Sequence, residues 1–355
     1  MMIKFIVINE TLFFTFKLFF LLISTGMWAQ NKNNSLTILE EEFIFERADF
    51  PQCHASTIEV LENGEIIAAW FGGEYERHPE VSIYTSVKSS SGWSLPRKVA
   101  DGIVNDSLNY PTWNPVLFKS DSKKLFLFYK IGPSPSQWWG MYKVSQDDGK
   151  TWTLPLRLPD NILGPIRNKP LQIGSRIISP SSVESSDGET WQSHVEISED
   201  DGETWRKVPI DSISDFKTIQ PAIIQYNGVL KAFFRSDQDV LMESLSKDLG
   251  ESWTKLEKTS IANPNSGVDA VTLANGHHLL VYNPLKSGKD WHNGRNKLYV
   301  AISSNGENWR PILKLEDEVK GEYSYPAIIQ DNNGDIHITY TYERERIKYL
   351  KLRLN

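Results

Sequence analysis

The chain is predicted to be all-β and to fold as a six-bladed propeller, on three observations. A short motif, S-x-D-x-G-x-[ST]-W, occurs at residues 145–152, 198–205 and 246–253. Recurrence about every 50 residues marks one supersecondary unit repeated along the chain. Segments of the form strand, tight turn, strand recur in register with it. The 355 residues also hold 12 Trp, 13 Tyr and 16 Phe, and they show no sustained apolar stripe of helical period.

The motif itself suits a turn between strands. Asp and Ser side chains bond backbone amides two residues on, Gly supplies positive φ, and the terminal Trp packs on the adjoining strands. A shortened fourth copy spans residues 303–309, and a fainter fifth ends at Ser91-Gly92-Trp93.

The strand pairs come next. Residues 54–71 read as a β-branched and aromatic strand, an Asn63-Gly64 turn and a second strand. Comparable pairs begin at Asn114, Lys169, Gln220, Val268 and Tyr325, the last turning at Gly334. Each unit has room for about four short strands, the content of one blade. Residues 35–46 beside residues 347–353 are the expected closure of the ring.

One closed domain over residues 31–355 is expected, because no linker-like stretch interrupts the repeats. Residues 1–30 read as a cleavable export signal: Lys4 and Lys17 flank apolar runs, and small residues precede Ala29-Gln30. The apolar run is short for a membrane span. A periplasmic or secreted monomer without stable membrane association is the expectation.

Cys53 is the only cysteine, which excludes an intramolecular disulfide and a Cys-rich metal site; it reads as a small buried apolar residue. The formal net charge of −7 with no basic cluster argues against nucleic-acid binding, which needs concentrated Lys and Arg. There is no Gly-rich phosphate loop and no His-x-x-x-His pair. No cofactor or metal is expected.

In a propeller the first strand of each blade lines the axis, so residues near those strand starts converge. This places His54, Asn114, Arg167, Lys169, Asn265, Tyr323 and Tyr325 around one opening. Ends of second strands and their loops add Glu80, Glu184 and Arg235, and Trp139 supplies a flanking aromatic face. Amide and carboxylate side chains match sugar hydroxyls, and Arg and Lys match a carboxylate or sulfate. The expected partner is an acidic oligosaccharide. His194 and Glu196, two apart on one strand, read as structural.

With these motifs the chain resembles the sialidase superfamily, in particular proteins with bacterial neuraminidase repeats, or Asp-boxes. The resemblance covers essentially the whole mature chain. Asp-boxes imply the propeller, whereas the same blades carry sialidases, lyases and non-catalytic proteins. A sialidase opens blade one with Arg-Ile-Pro; here the matching stretch is His54-Ala55-Ser56. The first of the three arginines that clamp the sialic acid carboxylate is thus replaced by an imidazole, which cannot reproduce the guanidinium fork. Tyr323-Ser324 resembles the late nucleophilic Tyr, Glu184 the Glu that activates it, Glu80 the acid/base Asp, and Arg235 a surviving arginine.

The chain is similar to the uronate-acting propeller lyases as well, which use His and Tyr with a carboxylate-neutralising cation. That resemblance implies β-elimination at a uronate, by a lyase or a dehydratase, giving a 4,5-unsaturated sugar; because closed six-blade centres tend to form pockets rather than long grooves, exo action at a non-reducing end is expected. His54, Tyr323, Tyr325 and Glu184 are the expected catalytic set; Asn114, Arg167, Lys169, Arg235, Glu80, Asn265 and Trp139 are the expected binding set. A sialidase-like exo-hydrolase and a non-catalytic carbohydrate-binding propeller are the alternatives.

Overall fold

The computed structural model describes residues 34–288 and 293–355. The expected export signal, residues 1–30, lies outside the described residues. No described helix is long and apolar enough to cross a membrane.

Six antiparallel sheets follow one another along the chain, each a meander whose strands pair in sequence order from the axis outward. Blade 1 starts with Gln52–Val60 and Ile66–Gly73, blade 2 with Thr112–Lys119 and Leu125–Ile131, and blade 3 with Leu171–Ile173 and Arg176–Glu184. Blade 4 starts with Thr218–Tyr226 and Val229–Ser236, blade 5 with Asp269–Thr272 and His278–Tyr282, and blade 6 with Tyr323–Gln330 and Ile336–Tyr342. The N-terminal strand Leu36–Phe43 pairs antiparallel with Arg346–Leu354 and becomes the outermost strand of blade 6, with Leu36 opposite Leu354 and Phe43 opposite Lys348. The ring therefore closes where the sequence placed the closure, with a strand from the N-terminal side completing the last blade.

The core lies between blades. One apolar cluster joins Ile67, Ala69 and Phe71 of blade 1 to Leu117, Leu127 and Tyr129 of blade 2. Comparable clusters fill the other junctions, for example Phe126 and Phe128 against Ile177, and Leu279 and Val281 against Ile336 and Ile338. Burial of both sheet faces follows from this stacking and explains why these strands read as nearly continuous apolar runs.

The repeated motif caps these junctions. In the first copy, Ser145 Oγ donates to Asp147 Oδ1 (2.8 Å) and accepts from Gly149 N (2.9 Å), while Asp147 accepts from Thr151 N and Oγ1 (2.8 and 2.6 Å). The same four bonds recur around Asp200 and Asp248. Gly149 has φ 76°, and a Cβ there would meet Ile67 Cδ1 of the preceding blade at 2.8 Å. Glycine is required twice over at this turn, for its conformation and for the close approach.

Candidate active site

Four inner strands carry the same irregularity. The pairing register slips between His54 and Thr57, opposite Asn114, between Ile219 and Ala222, and between Ser324 and Ala327. The residue inside each slip is left-handed: Ala55 (φ 55°), Asn114 (34°), Gln220 (56°) and Tyr325 (53°). A bulge with a left-handed residue rotates the adjoining side chains out of the pleat alternation. Here it aims them at the axis. Left-handed backbone is costly for a bulky residue such as Tyr and concentrates at functional sites.

Below the bulges the axis is plugged. Arg167 donates to Asn168 Oδ1 (2.8 Å) and to the Pro326 carbonyl, and Asn168 Nδ2 donates to the Val268 carbonyl (2.8 Å). Lys169 Nζ reaches Asp269 Oδ2 (3.0 Å) and the Ile328 carbonyl (2.7 Å). Three consecutive residues from blade 3 thus tie blades 5 and 6 across the hub. The sequence reading put Arg167 and Lys169 against substrate; in the structure Arg167 Nη1 and Nη2 and Lys169 Nζ bond the plug. The inner strand of blade 3 begins only at Leu171, so these residues precede it and cross the axis. Burial pulls the Arg167 pKa down to about 10, and its guanidinium lies 5.1 Å from the Tyr325 ring centre, beneath it.

Above the plug opens a cavity of about 590 Å³ lined by Gln52, Tyr75, Glu76, Arg77, Arg235, Arg295, Tyr325 and Arg344. Tyr325 forms its floor. Arg235 Nη1 donates to the Tyr325 hydroxyl (2.7 Å) and to Gln220 Oε1 (3.3 Å), and its Nε donates to Asn265 Oδ1 (2.8 Å). Arg295 donates to Glu322 Oε1 (3.0 Å) and to the Asn265 carbonyl (3.3 Å). Arg344 donates from Nε to Glu322 Oε2 (2.7 Å) and from Nη1 to Glu76 Oε2 (2.6 Å). Burial alone would lower the Arg344 pKa, but Glu322 and Glu76 outweigh it and hold the group above its ordinary value. Burial works to raise the pKa of Glu322, and the guanidiniums of Arg344 and Arg295 more than offset it, so its carboxyl stays below the usual range.

His54 stands behind this floor, 2% exposed, with its ring centre 4.2 Å from that of Tyr325. Burial, followed by the fields of Arg344, Arg295, Arg167 and Arg235, drives its pKa well below 6.5. It is a neutral imidazole packed on the tyrosine.

The remaining sequence-derived residues divide. Arg235, Asn265 and Tyr325 meet at the cavity. Tyr323 does not: its ring packs on Tyr342 at 4.9 Å among the apolar residues shared by blades 5 and 6, because strand alternation sends residues two apart to one face only where no bulge intervenes, and here the slip after Ser324 does intervene. Glu80 is exposed on the loop after Gly73 and is not among the lining residues; its neighbour Glu76 is. Asn114 is buried in blade 2 at its bulge. Glu184 and Trp139 line a separate cleft. His194 Nε2 and Glu196 Oε1 are 3.1 Å apart, and Glu196 accepts from Leu163 N and Gly164 N, which is a structural use. Burial raises the Cys53 thiol pKa, leaving an inert buried group.

Arg295, Arg344 and Glu322 escaped the sequence reading, and from the loop 74–80, which that reading brought to the opening, it singled out Glu80 rather than Glu76. Arg295 precedes the third strand of blade 5, and Arg344 sits in the turn after Tyr342 with φ 58°. Both lie in connections that the repeat pattern leaves unaligned. The available signal was the run Glu343-Arg344-Glu345-Arg346 at the end of a second strand, the position that yielded Arg235 in blade 4.

Residues 64–338 match the family model described as a BNR repeat-like domain. Among curated proteins, none matches the chain. Solved structures share the fold. A protein of unknown function from Dyadobacter fermentans superposes with a TM-score of 0.72 at 17% identity, over 90% of this chain and 100% of that one. The NanB sialidase of Streptococcus pneumoniae gives 0.68 at 15% identity, over 88% and 70%. An α-L-arabinanase of Penicillium chrysogenum, solved with arabinobiose, gives 0.66 at 19% identity, over 89% and 98%. The sialidase and the arabinanase are carbohydrate-active enzymes on a propeller of this kind. With six blades, three of them closed by full Asp-box turns, and a model match over most of its length, the chain belongs to the BNR repeat-like family and has the six-bladed, sialidase-type propeller fold.

Proposed function

We propose that the protein is an exported carbohydrate-active enzyme that binds a carboxylated sugar at the hub and eliminates across its C4–C5 bond. The observation that supports this most is the convergence of Arg235, Arg295 and Arg344 on the cavity whose floor is Tyr325. The imidazole at position 54 was expected to cost the site one arm of its carboxylate clamp; Arg344 from blade 6 brings a third guanidinium instead.

The chemistry follows from charge. An ionised carboxylate makes the neighbouring C5–H a weak acid, and cations that neutralise it favour the negative charge developing in the transition state. Such a donor is worth roughly 3 kcal/mol. Tyr325, as the phenolate, removes the C5 proton, the electron pair forms the C4=C5 double bond, and the C4–O bond breaks, with the leaving oxygen taking that proton from the Tyr325 hydroxyl. Arg235 fixes the direction of the Tyr325 hydroxyl. His54 holds the ring from behind without adding charge. A cavity that ends on a plugged axis suits a chain end better than a chain interior. Whether water or a sugar leaves depends on what C4 carries.

Hydrolysis is the second reading, and Glu184 favours it. Burial raises its pKa from the ordinary glutamate value against the pull of Arg235 and Arg77, the direction a general acid needs. Against it, the side chain that shares Arg235 with Tyr325 is the amide of Gln220, which cannot take a proton from a nucleophilic tyrosine.

The deciding experiment incubates the mature protein with uronate-terminated oligosaccharides and with sialosides, reading ultraviolet absorbance and product mass together. The expected result is an absorbing unsaturated product from a uronate, absent with Tyr325→Phe. Incorporation of water without absorbance would establish the hydrolase instead, and binding without any product would leave a carbohydrate-binding propeller.

A further inference from the structure

Beside the hub, between blades 2 and 3, lies a second cleft of about 250 Å³, lined by Trp138, Trp139, Arg157, Asp160, Glu184 and Lys207 among others. Nothing in the hub chemistry uses it. Trp138 and Trp139 are both half-buried. The Trp139 ring is braced edge-on by Tyr110 at 5.8 Å, and the exposed Arg157 guanidinium lies 5.5 Å from its centre. The Trp138 indole nitrogen is buried with no hydrogen-bond partner.

The cleft is coupled to the hub in two ways. Trp138 packs on Trp113 (5.8 Å), Trp113 on Phe71 (6.5 Å), Phe71 on His54 (5.6 Å) and His54 on Tyr325 (4.2 Å). This aromatic row fixes the cleft relative to the cavity floor. Glu184 lines the cleft yet lies within the fields of Arg235 and Arg77, which line the hub cavity. One wall is also rigidly held: Leu163 N and Gly164 N donate to the buried Glu196.

The geometry points to the cleft as the binding site for a second pyranose ring, the one glycosidically linked to the acidic sugar in the hub. Its volume suits one sugar ring, its paired indoles offer apolar faces, and the carboxylates and cations around them match hydroxyls. A lining that holds two cations, Arg157 and Lys207, and two carboxylates, Asp160 and Glu184, implies a neutral or weakly charged neighbour. The cleft accordingly sets which disaccharide is accepted. This rests on the hub reading given above.

The test is calorimetric binding of two probes, methyl glucuronide and a disaccharide with glucuronate at its non-reducing end, to the wild type and to Trp139→Ala, Arg157→Ala and Arg235→Met. Arg157 is exposed, so its variant guards against misfolding of the tryptophan variant. The expected result is at least about tenfold tighter binding of the disaccharide, about 1.4 kcal/mol. Both cleft variants should remove that advantage while leaving methyl glucuronide unchanged, and Arg235→Met should abolish both. Equal affinity of the two probes for the wild type, or cleft variants without effect, would overturn the subsite and leave the hub standing. A Trp139→Ala variant that loses methyl glucuronide as well would place that ring in the hub, which also overturns it. Binding of both probes that survives Arg235→Met would sink the hub reading, and no binding of either would sink both.

Discussion

Arg235 donates to the Tyr325 hydroxyl at 2.7 Å across blades 4 and 6, and the tyrosine that accepts it sits in the left-handed region at φ 53°. A non-glycine residue in that region costs about 1–3 kcal/mol, which a purely structural tyrosine would not need. Tyr325→Phe should therefore lower turnover about 10²- to 10⁴-fold with a melting temperature close to wild type. Near-normal turnover in the folded variant would remove the phenol from the chemistry.

Arg344 links Glu322 to Glu76 through two different nitrogens, so it both charges the cavity and fastens the loop at its mouth. A lysine keeps the charge but not the fork. Arg344→Lys should raise KM for the acidic substrate about tenfold, a loss of about 1.4 kcal/mol, with kcat less affected. Steady-state kinetics at two substrate concentrations bracketing KM separates the two.

Burial lowers the pKa of His54, and likewise of His194, His278 and His337. In the unfolded chain these groups bind a proton below about pH 6.5, whereas the native protein resists it. The unfolded state then holds more protons, so stability is complete above that pH and falls as pH drops below it. The slope is at most about 1.4 kcal/mol per pH unit for each histidine. Melting temperature should decline from pH 7 to pH 5, and His54→Phe should flatten the decline. The box aspartates Asp147, Asp200 and Asp248, held down at about 2 by their Ser and Thr donors, act in a separate and more acidic window, below the ordinary aspartate pKa.

Lys169 pairs with Asp269, whose side chain is 3% exposed. Removing one member of a buried pair strands the other. Lys169→Met should cost about 3 kcal/mol of stability by chemical denaturation, yet leave the affinity for an acidic sugar unchanged. A selective loss of sugar affinity would return Lys169 to the binding set.

Trp205 donates to the Gly202 carbonyl at 2.9 Å and meets Phe128 of the preceding blade edge-on at 6.2 Å. It is half-buried, so Trp205→Ala should cost about 3 kcal/mol, the low end for a truncated tryptophan. An unchanged melting temperature would mean that the box does not seal the blade junction.

What the sequence determined by itself was local and periodic. The box turns close through hydrogen bonds within eight residues, the Asn63-Gly64 turn needs only its own two residues, and the strand pairs between turns repeat often enough to count. Even the closing strand was legible, since Leu36–Phe43 continues the apolar and charged pattern of an outer strand. His54 and Tyr325 were legible for the same reason, each standing at a strand start.

What only the tertiary structure decided was which side chains face one another across the axis. Arg295 and Arg344 come from connections of different length in blades 5 and 6, where no repeat fixes the register. The bulges around Ala55, Asn114, Gln220 and Tyr325 reverse the alternation that pattern reading assumes, which is why Tyr323 was placed at the opening together with Tyr325. Arg167 and Lys169 were matched by charge to a ligand, but closing the ring brought the carbonyls of Pro326 and Ile328 within their reach first. A periodic sequence specifies blades because each blade's bonds are local; a hub is specified by contacts between different blades, from Arg235–Tyr325 at 90 positions to Arg344–Glu76 at 268, and those exist only once the ring has closed.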